Sequence, residues 1–167
     1  MAQEQFRLVD GTIVRKCLTE KPLYCSRKGK FYSVHKMVIT DEGCIMREIK
    51  PSYSPASANP KNKYTHGGAY PIMRQFDKQL CHKLVAGAWI GERPNYLSKD
   101  GTLKPMEIDH LNGNILDWST DNLQYVTPAE NCRRAKILRA MRAAGLNPTT
   151  YTRDELLHIF AKYEITK

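Results

Sequence analysis

The chain lacks several features that mark familiar classes of protein. It contains no apolar run of the ~18 residues that a transmembrane helix requires, so no membrane span is expected. Its opening stretch, MAQEQFRLVDGTIVRKC, has no charged start followed by an apolar segment and therefore predicts no signal peptide. No C-x-x-C pair occurs, which argues against a zinc ribbon and a disulfide framework. We expect reduced thiols, as in a cytosol, at the five cysteines, which are Cys17, Cys25, Cys44, Cys81 and Cys132.

Acidic residues are also fewer than basic ones. Asp and Glu number 17 against 26 Lys and Arg, which gives a formal net charge of +9 and a pI near 9.4. This surplus favours a nucleic acid or an anionic membrane as partner, although a merely basic, soluble protein has the same balance. With 167 residues and 41% apolar composition, the chain is large enough for one globular domain with appendages.

The N-terminal part of the chain, residues 1–78, is predicted to be rich in β-structure. The runs FYSVHKMVI (31–39) and CIMREI (44–49) flank the turn signal DEG, which indicates a hairpin. The stretch PSYSPASANPKNKYTHGGAY (51–70) predicts a long loop, and loops of this length are often functional. The segment YPIMRQF (70–76) is typical of a further short strand.

Beyond residue 78, helices and short strands are predicted in turn. Apolar residues recur at helical spacing over QLCHKLVAGAWIG (79–91), which predicts a helix. The segment MEIDH (106–110) predicts a strand that ends at Asp109-His110, just before an Asn-Gly turn. LQYVT (123–127) predicts the returning strand.

Two helices are predicted after this hairpin. Thr127, Pro128 and Glu130 form a capping-box signature, so a helix of about 17 residues should follow and end near Gly145. A second helix is predicted over 152–163, with Thr152 as its cap. Its apolar stripe consists of Leu156, Leu157, Phe160 and Tyr163.

The predicted strand–strand–helix unit brings chemistry-bearing side chains together. The start of the helix packs near the strands, so Asn131 can approach Asp109. A carboxylate and an amide oxygen, with positions left open for water and phosphate, suit Mg²⁺. His110 could take a proton from a water molecule that attacks phosphorus, and the set then predicts phosphodiester hydrolysis. The alternative for Asp109-His110 alone is a polar strand end that runs into a turn.

The motif DHLNGN…DNLQYVTPAEN resembles that of HNH endonucleases, in the form carried by phage homing and free-standing phage HNH nucleases. The upstream segment CHKLVAGAWIG resembles the helix that precedes this motif in the same group. The resemblance covers about residues 79–135, with a weaker likeness over 31–50. Four spaced elements match jointly, which makes the resemblance far more specific than a lone D-H pair.

The resemblance implies a role for each matching residue. Asp109 is implied to bind the metal and His110 to act as general base. Asn122 and Asn131 follow Asp109 by 13 and 22 residues, as the phage group requires. Asn122 is implied to tie the loop to the strands, and Asn131 to be the second metal ligand. The chain departs from the family pattern at three places: Asn112 replaces Asp, Asp117-Trp118 replaces Asn-Asn, and Tyr125 replaces Trp.

Basic residues suggest where DNA would bind. The helix after Asn131 has no acid between Arg133 and Arg142, whereas an ordinary solvated face mixes signs. We therefore predict a phosphate-facing surface formed by Arg133, Lys136, Arg139 and Arg142, with Lys61 and Lys63 of the long loop as further contacts. His82 either touches a phosphate or is a buried structural histidine, and Trp118 is either a core residue or a base-stacking wedge.

The sequence thus predicts an α+β protein. A ββα-metal (HNH, His-Me finger) nuclease core at 79–145 follows a β-rich, DNA-contacting region at 1–78 and precedes a helical appendage at 146–167. The expected activity is cleavage of double-stranded DNA with one divalent metal ion, Mg²⁺ or alternatively Mn²⁺, and no small-molecule cofactor. We expect a monomer without membrane contact, in the cytoplasm of a bacterial host. The alternatives are a catalytically inactive DNA-binding protein that keeps the fold, and an RNA-directed or structural phage protein.

Overall fold

The computed structural model describes residues 4–53, 70–76 and 78–165. The fold class is α+β, as predicted, with antiparallel sheets and three α-helices in the described residues. The chain divides into two compact units. The first consists of the described residues of Met1–Gly91 with Trp118–Thr120, and the second of those of Glu92–Asp117 and Asp121–Lys167.

The first unit is built on a five-stranded antiparallel sheet in which each strand pairs with the next one along the chain. The predicted hairpin at 31–49 is confirmed, because the fourth and fifth strands pair with Thr40 opposite Gly43. A register shift between Ser33 and Val38 interrupts this pairing. The five strands are β1 (Gln5–Arg7), β2 (Ile13–Lys16), β3 (Leu23–Ser26), β4 (Phe31–Thr40) and β5 (Gly43–Ile49).

A helix and a smaller sheet complete the first unit. The sheet contains β6 (Ser52–Tyr53), β7 (Pro71–Met73) and β8 (Gln79–Leu80), and the helix α1 spans Cys81–Trp89. The predicted strand at 70–76 is therefore shorter than expected. The predicted helix at 79–91 begins two residues late, because Gln79 and Leu80 pair with β7.

Helix α1 packs on β2, β3, β7 and β8, so its contacts lie within the first unit. The sequence assigned it to a nuclease core that begins at residue 79, and the predicted boundaries at 78 and 145 stay predictions. Four of the five free thiols are buried here, at Cys17, Cys25, Cys44 and Cys81, beside apolar core residues such as Val14, Leu23 and Phe31.

The second unit begins with two antiparallel hairpins. The first joins β9 (Asn95–Leu97) to β10 (Leu103–Pro105). The second joins β11 (Glu107–His110) to β12 (Leu123–Val126) and confirms both predicted strands. Two helices follow, α2 (Pro128–Ala143) and α3 (Arg153–Ile165).

The predicted helix starts are confirmed by their caps. Thr127 has extended backbone, and its hydroxyl accepts a hydrogen bond from the Glu130 backbone N–H at 3.2 Å, with Pro128 in the first turn. At the start of α3 the capping box is reciprocal. Thr152 Oγ1 accepts from the Glu155 N–H at 3.3 Å, and Glu155 Oε2 accepts from the Thr152 N–H at 2.7 Å.

The core of the second unit lies between α2, α3 and the residue that follows β11. Leu111 is fully buried there against Ile137, Leu138 and Met141 of α2 and against Leu156 and Phe160 of α3. The predicted stripe on α3 ends at Phe160, because Tyr163 one turn later is 53% exposed. Within the described ranges, none of the helices has the length and apolar character that crossing a bilayer requires.

Candidate active site

The predicted acid and base are consecutive residues at the end of β11. Asp109 pairs with Gln124 and His110 pairs with Leu123 in the ladder with β12. Both side chains are only 7% exposed, and the next residue, Leu111, is the most buried residue of the unit's core. Burial of two ionisable side chains at a strand end is unusual and needs compensating contacts.

Asn122 fastens the long connection between the two strands. Its Oδ1 accepts a hydrogen bond from the Asn112 backbone N–H at 2.9 Å, and its Nδ2 donates to the Asp117 carbonyl at 2.7 Å. The Leu111 N–H also donates to the Asn122 carbonyl at 2.9 Å. One buried amide therefore holds both ends of the loop that follows His110.

We expect Asn122→Ala to lower the free energy of unfolding by about 2–3 kcal/mol, because it leaves a buried N–H and a carbonyl without partners. Urea denaturation would measure the loss. Asn114→Ala is the matched control, since the Asn114 side chain accepts only an exposed bond, from the Leu116 N–H in the same loop. Equal midpoints for the two variants would contradict the role given to Asn122.

Two of the departures from the family pattern contact each other. The Asn112 Nδ2 donates to Asp117 Oδ2 at 3.1 Å, while the Asn112 Oδ1 accepts from the Asn114 backbone N–H at 2.8 Å. Relative to the family pattern, the amide and the carboxylate have exchanged positions, and here they bind each other. The exchange therefore preserves a hydrogen-bonded loop.

Helix α2 lies against β11 through two polar contacts. Asn131 Nδ2 donates to Glu107 Oε2 at 2.7 Å, and Arg134 Nη1 lies 3.3 Å from Asp109 Oδ2. Glu107 and Asp109 are two residues apart on a strand and so share a face, while Asn131 and Arg134 are three apart on a helix and do likewise. The predicted approach of Asn131 to this strand is thus present, but the hydrogen bond goes to Glu107.

Arg134 is the important site residue that the sequence did not reveal. Its side chain is 9% exposed, and it donates to Glu130 Oε1 at 2.5 Å and to Gln124 Oε1 at 3.0 Å as well as to Asp109. The guanidinium also lies 4.9 Å from the centroid of the Phe160 ring. Arg134 consequently joins both strands, α2 and α3 at the base of the site. The available signal was Glu130 four residues earlier, at ion-pair spacing on a helix.

The electrostatics of the site follow from burial and from this arginine. Burial raises the pKa of Asp109, and the charge of Arg134 opposes that shift. Burial lowers the pKa of His110 to about 4, so its ring is neutral at pH 7, the form that can accept a proton. Hydrogen bonds from Arg133, and secondarily from Arg134, hold the pKa of Glu130 at about 2.

The oxygen atoms of the site fit a hard divalent cation. Asp109 and Glu107 supply carboxylates on one face of β11, and Asn131 supplies an amide oxygen beside them. Arg134 engages one oxygen of Asp109, and a carboxylate has further lone pairs with which to bind a second cation. No cluster of three His, Cys, Asp or Glu suited to a metal occurs among the described residues. The ligand pair expected here, Asp109 and Asn131, includes an asparagine and so is not a cluster of that kind.

The predicted basic surface of α2 is only partly available. Arg133 donates to both carboxylate oxygens of Glu130 at 2.7 Å and to the Phe160 carbonyl at 2.9 Å, because Glu130 lies just before the acid-free stretch. Arg142 Nη2 lies 3.4 Å from the carbonyls of Asn112 and Gly113 and closes the turn after His110. Lys136 and Arg139 are exposed on the helix.

His82 and Trp118 lie in the first unit. His82 is buried and packs edge-on against Tyr70, with ring centroids 5.6 Å apart, which favours the structural interpretation. Trp118 is half-buried, and its Nε1 donates to the Gly29 carbonyl at 2.8 Å. Lys61 and Lys63 fall outside the described residues.

Comparison with known proteins bears on the second unit. A family model described as HNH endonuclease matches residues 96–133, a segment that runs from β9 into the first turns of α2. The match includes Asp109, His110, Asn122 and Asn131. Neither a curated protein nor a solved structure matches the chain. HNH nucleases act on nucleic acid and generally use a divalent metal ion. Residues 96–133 are therefore similar to the HNH endonuclease family.

Proposed function

We propose that the chain is a divalent-metal-dependent endonuclease that hydrolyses phosphodiester bonds of double-stranded DNA through a ββα-metal core. Asp109 and Asn131 hold the metal ion, with Mg²⁺ the expected ion and Mn²⁺ a substitute. His110 is the general base, and Asn122 is a positioning residue. A single metal site per chain fits a monomer that nicks one strand per site. We propose that this monomer is a phage homing-type enzyme that acts in a bacterial cytoplasm.

The chemistry assigned to the side chains is a proton transfer at a fixed position. A ring nitrogen of neutral His110 accepts a proton from water as the water oxygen forms its bond to phosphorus. The bond from phosphorus to the leaving sugar oxygen breaks, and that oxygen takes a proton from solvent water. When bound, the metal ion stabilises negative charge on the phosphate oxygens in the transition state. Asn122 and the Asn112–Asp117 pair fix the loop after His110 and so fix the ring.

The observation that carries this proposal is the juxtaposition at the end of β11. A buried carboxylate and a buried, neutral imidazole are adjacent there, and the amide of α2 expected to be a ligand bonds to the same strand. Buried titratable groups with shifted pKa values are typical of functional sites. The family match covers the same residues.

One contact favours a second candidate function, that of an inactive DNA-binding protein. The guanidinium of Arg134 already neutralises Asp109, the carboxylate that a metal ion would need. If Arg134 keeps that carboxylate permanently occupied, the fold would bind DNA without cleaving it. Incubating supercoiled plasmid with the protein, in Mg²⁺ and in EDTA, separates the two functions. Nicked product in Mg²⁺ alone supports the nuclease, whereas DNA binding without product in Mg²⁺ or Mn²⁺ supports the inactive protein.

Asn131→Ala is expected to weaken divalent-metal binding at least tenfold, because it removes one of two proposed protein ligands. Asn131→Asp retains an oxygen at the same reach and should bind the ion at least as well as the wild type. Isothermal titration with Mn²⁺ measures both affinities without reference to cleavage. Gln124→Ala is the control at the same site, since Gln124 contacts Arg134 but is not a proposed ligand. Equal affinities for wild type and Asn131→Ala would remove Asn131 from the ligand set.

A further inference from the structure

The first unit contains a basic cleft that the proposed nuclease site does not use. Its volume is about 540 Å³, within the size range of ligand-binding pockets. Four cationic side chains and one tryptophan line it, namely Arg15, Arg27, Lys28, Lys30 and Trp89. None of the described residues that line it is acidic. A cleft with charge of one sign attracts an anion.

The tryptophan of this cleft is held in a fixed orientation. Trp89 is the last residue of α1, and its Nε1 donates to the Cys25 carbonyl of β3 at 2.9 Å. Cys25 lies opposite Arg15 in the ladder between β2 and β3. Val14, the neighbour of Arg15, is fully buried, so strand alternation turns Arg15 away from the sheet's core and towards the indole.

Both arginines of the cleft stack on this indole. The Cζ atom of Arg15 lies 4.4 Å from the Trp89 ring centroid, and that of Arg27 lies 5.1 Å away. In the part of the chain that the structure describes, neither guanidinium is paired with a carboxylate. A guanidinium stacked on an aromatic ring keeps the N–H groups of its edge available for two parallel bonds to a phosphate.

The turn that carries the other cations is rigid. Ser26 N–H donates to the Lys30 carbonyl at 2.9 Å, and Gly29 N–H donates to the Ser26 carbonyl at 3.0 Å. Gly29 has φ +79°, and a Cβ atom there would lie 2.5 Å from Trp118 Cδ1, so only glycine fits. The Thr120 N–H donates to the Arg27 carbonyl at 2.9 Å. The backbone that presents Arg27 and Lys28 is therefore fixed before any ligand binds.

We propose that this cleft binds the phosphodiester backbone of the DNA substrate, with the guanidiniums of Arg15 and Arg27 as the phosphate ligands. The proposal rests on DNA being the substrate of the proposed function, but it does not depend on cleavage. Trp89 supports the two arginines, so it does not serve as a platform for a base, and the contact is independent of sequence. Phosphate contacts of this kind position a protein on the duplex.

The test measures the affinity of the full-length chain for a labelled DNA duplex in EDTA, where metal-dependent cleavage does not occur. The double variant Arg15→Gln/Arg27→Gln is expected to bind about tenfold or more weakly at low salt. The slope of log K against log salt should fall by about 1.8, since each lost phosphate contact removes about 0.9. Arg47→Gln/Lys50→Gln is the matched control, because it removes the same charge from exposed positions that do not line the cleft. Its slope should stay within about 0.5 of the wild type.

Further variants separate a guanidinium site from general positive charge. Arg15→Lys/Arg27→Lys keeps both charges but cannot stack or bind bidentately, and we expect it to recover less than half of the lost affinity. Arg27→Gln alone changes an exposed side chain, so folding is not at issue, and about half of the slope change should remain. Thermal unfolding of every variant shows whether the fold is retained.

Several outcomes would overturn the proposal. Wild-type affinity in a folded Arg15→Gln/Arg27→Gln variant removes the cleft from the DNA interface. Full recovery of duplex affinity in Arg15→Lys/Arg27→Lys would show that the cleft contributes only positive charge and no contact specific to a guanidinium. A titration with dAMP distinguishes a nucleotide pocket, and arginine-dependent dAMP binding with unchanged duplex affinity would assign the cleft to free nucleotides. Loss of the proposed nuclease function would show itself separately, as absent nicking with duplex binding intact.

Discussion

His110→Ala is expected to lower the rate of metal-dependent DNA nicking by a factor of about 10² to 10⁴, the usual contribution of a general base. The physical reason is that no other side chain at the end of β11 is both neutral at pH 7 and basic. Asp109 is engaged with Arg134, and Asn122 is an amide whose two polar groups are bonded to the loop. A single-turnover plasmid assay in Mg²⁺ measures the rate.

Two controls separate the chemistry from folding and binding. His35→Ala removes an exposed histidine of the first unit and should leave the rate unchanged. Duplex affinity of His110→Ala in EDTA should equal that of the wild type, because a buried ring contributes little to the DNA-binding surface. A His110→Ala protein that nicks at more than about a tenth of the wild-type rate would show that His110 is not the base.

The elements around the site were predictable because their signals are local. The Thr127-Pro128 start of α2 and the Thr152 cap of α3 depend on residues within one helical turn, and both formed as expected. The β11–β12 ladder also follows from two short apolar runs. The boundary of α1 was less predictable, because Gln79 and Leu80 pair with β7, a partner that local spacing does not reveal.

The interior of the site was not predictable, because it depends on pairs that only the fold brings together. Arg133 and Arg134 are adjacent in a basic run, and the sequence predicted a phosphate-facing position for Arg133 and no role for Arg134. The fold instead turns both toward Glu130, and Arg134 further to Asp109. Likewise, Asn112 and Asp117 appeared as two separate departures from a family pattern, whereas they are the two ends of one hydrogen bond.

The basic cleft was not predictable from the sequence for the same reason. Arg15, Arg27 and Trp89 are 12 and 62 residues apart in sequence and form no motif. They meet because β2 pairs with β3 and the end of α1 bonds to the Cys25 carbonyl. Stacking of charged side chains on an aromatic ring depends on tertiary structure, and a net charge of +9 does not indicate where such a cluster lies.

Arg134→Met should produce the largest change in stability, a loss of about 3 kcal/mol in the free energy of unfolding. The substitution retains most of the apolar volume beside Phe160 but leaves the carboxylates of Asp109 and Glu130 without their cation. Removing one partner of a buried ion pair costs about 3–5 kcal/mol, and the partial exposure of Glu130 places the expected value at the lower end. Urea denaturation gives the free energy directly.

Arg139→Met is the matched control, since Arg139 lies on the same helix and is exposed, and its Nε donates to the Ala135 carbonyl at 3.2 Å. It should change stability by less than about 0.5 kcal/mol. If Asp109 also binds the divalent ion, Mg²⁺ should restore more stability to Arg134→Met than to the wild type, because a ligand that binds only the folded state stabilises it. Adding Asp109→Asn should abolish that recovery. An Arg134→Met variant as stable as Arg139→Met would mean that Arg134 does not compensate the charge of Asp109. An Arg134→Met variant whose stability is indifferent to Mg²⁺ would mean that Asp109 does not share its carboxylate between Arg134 and a metal ion.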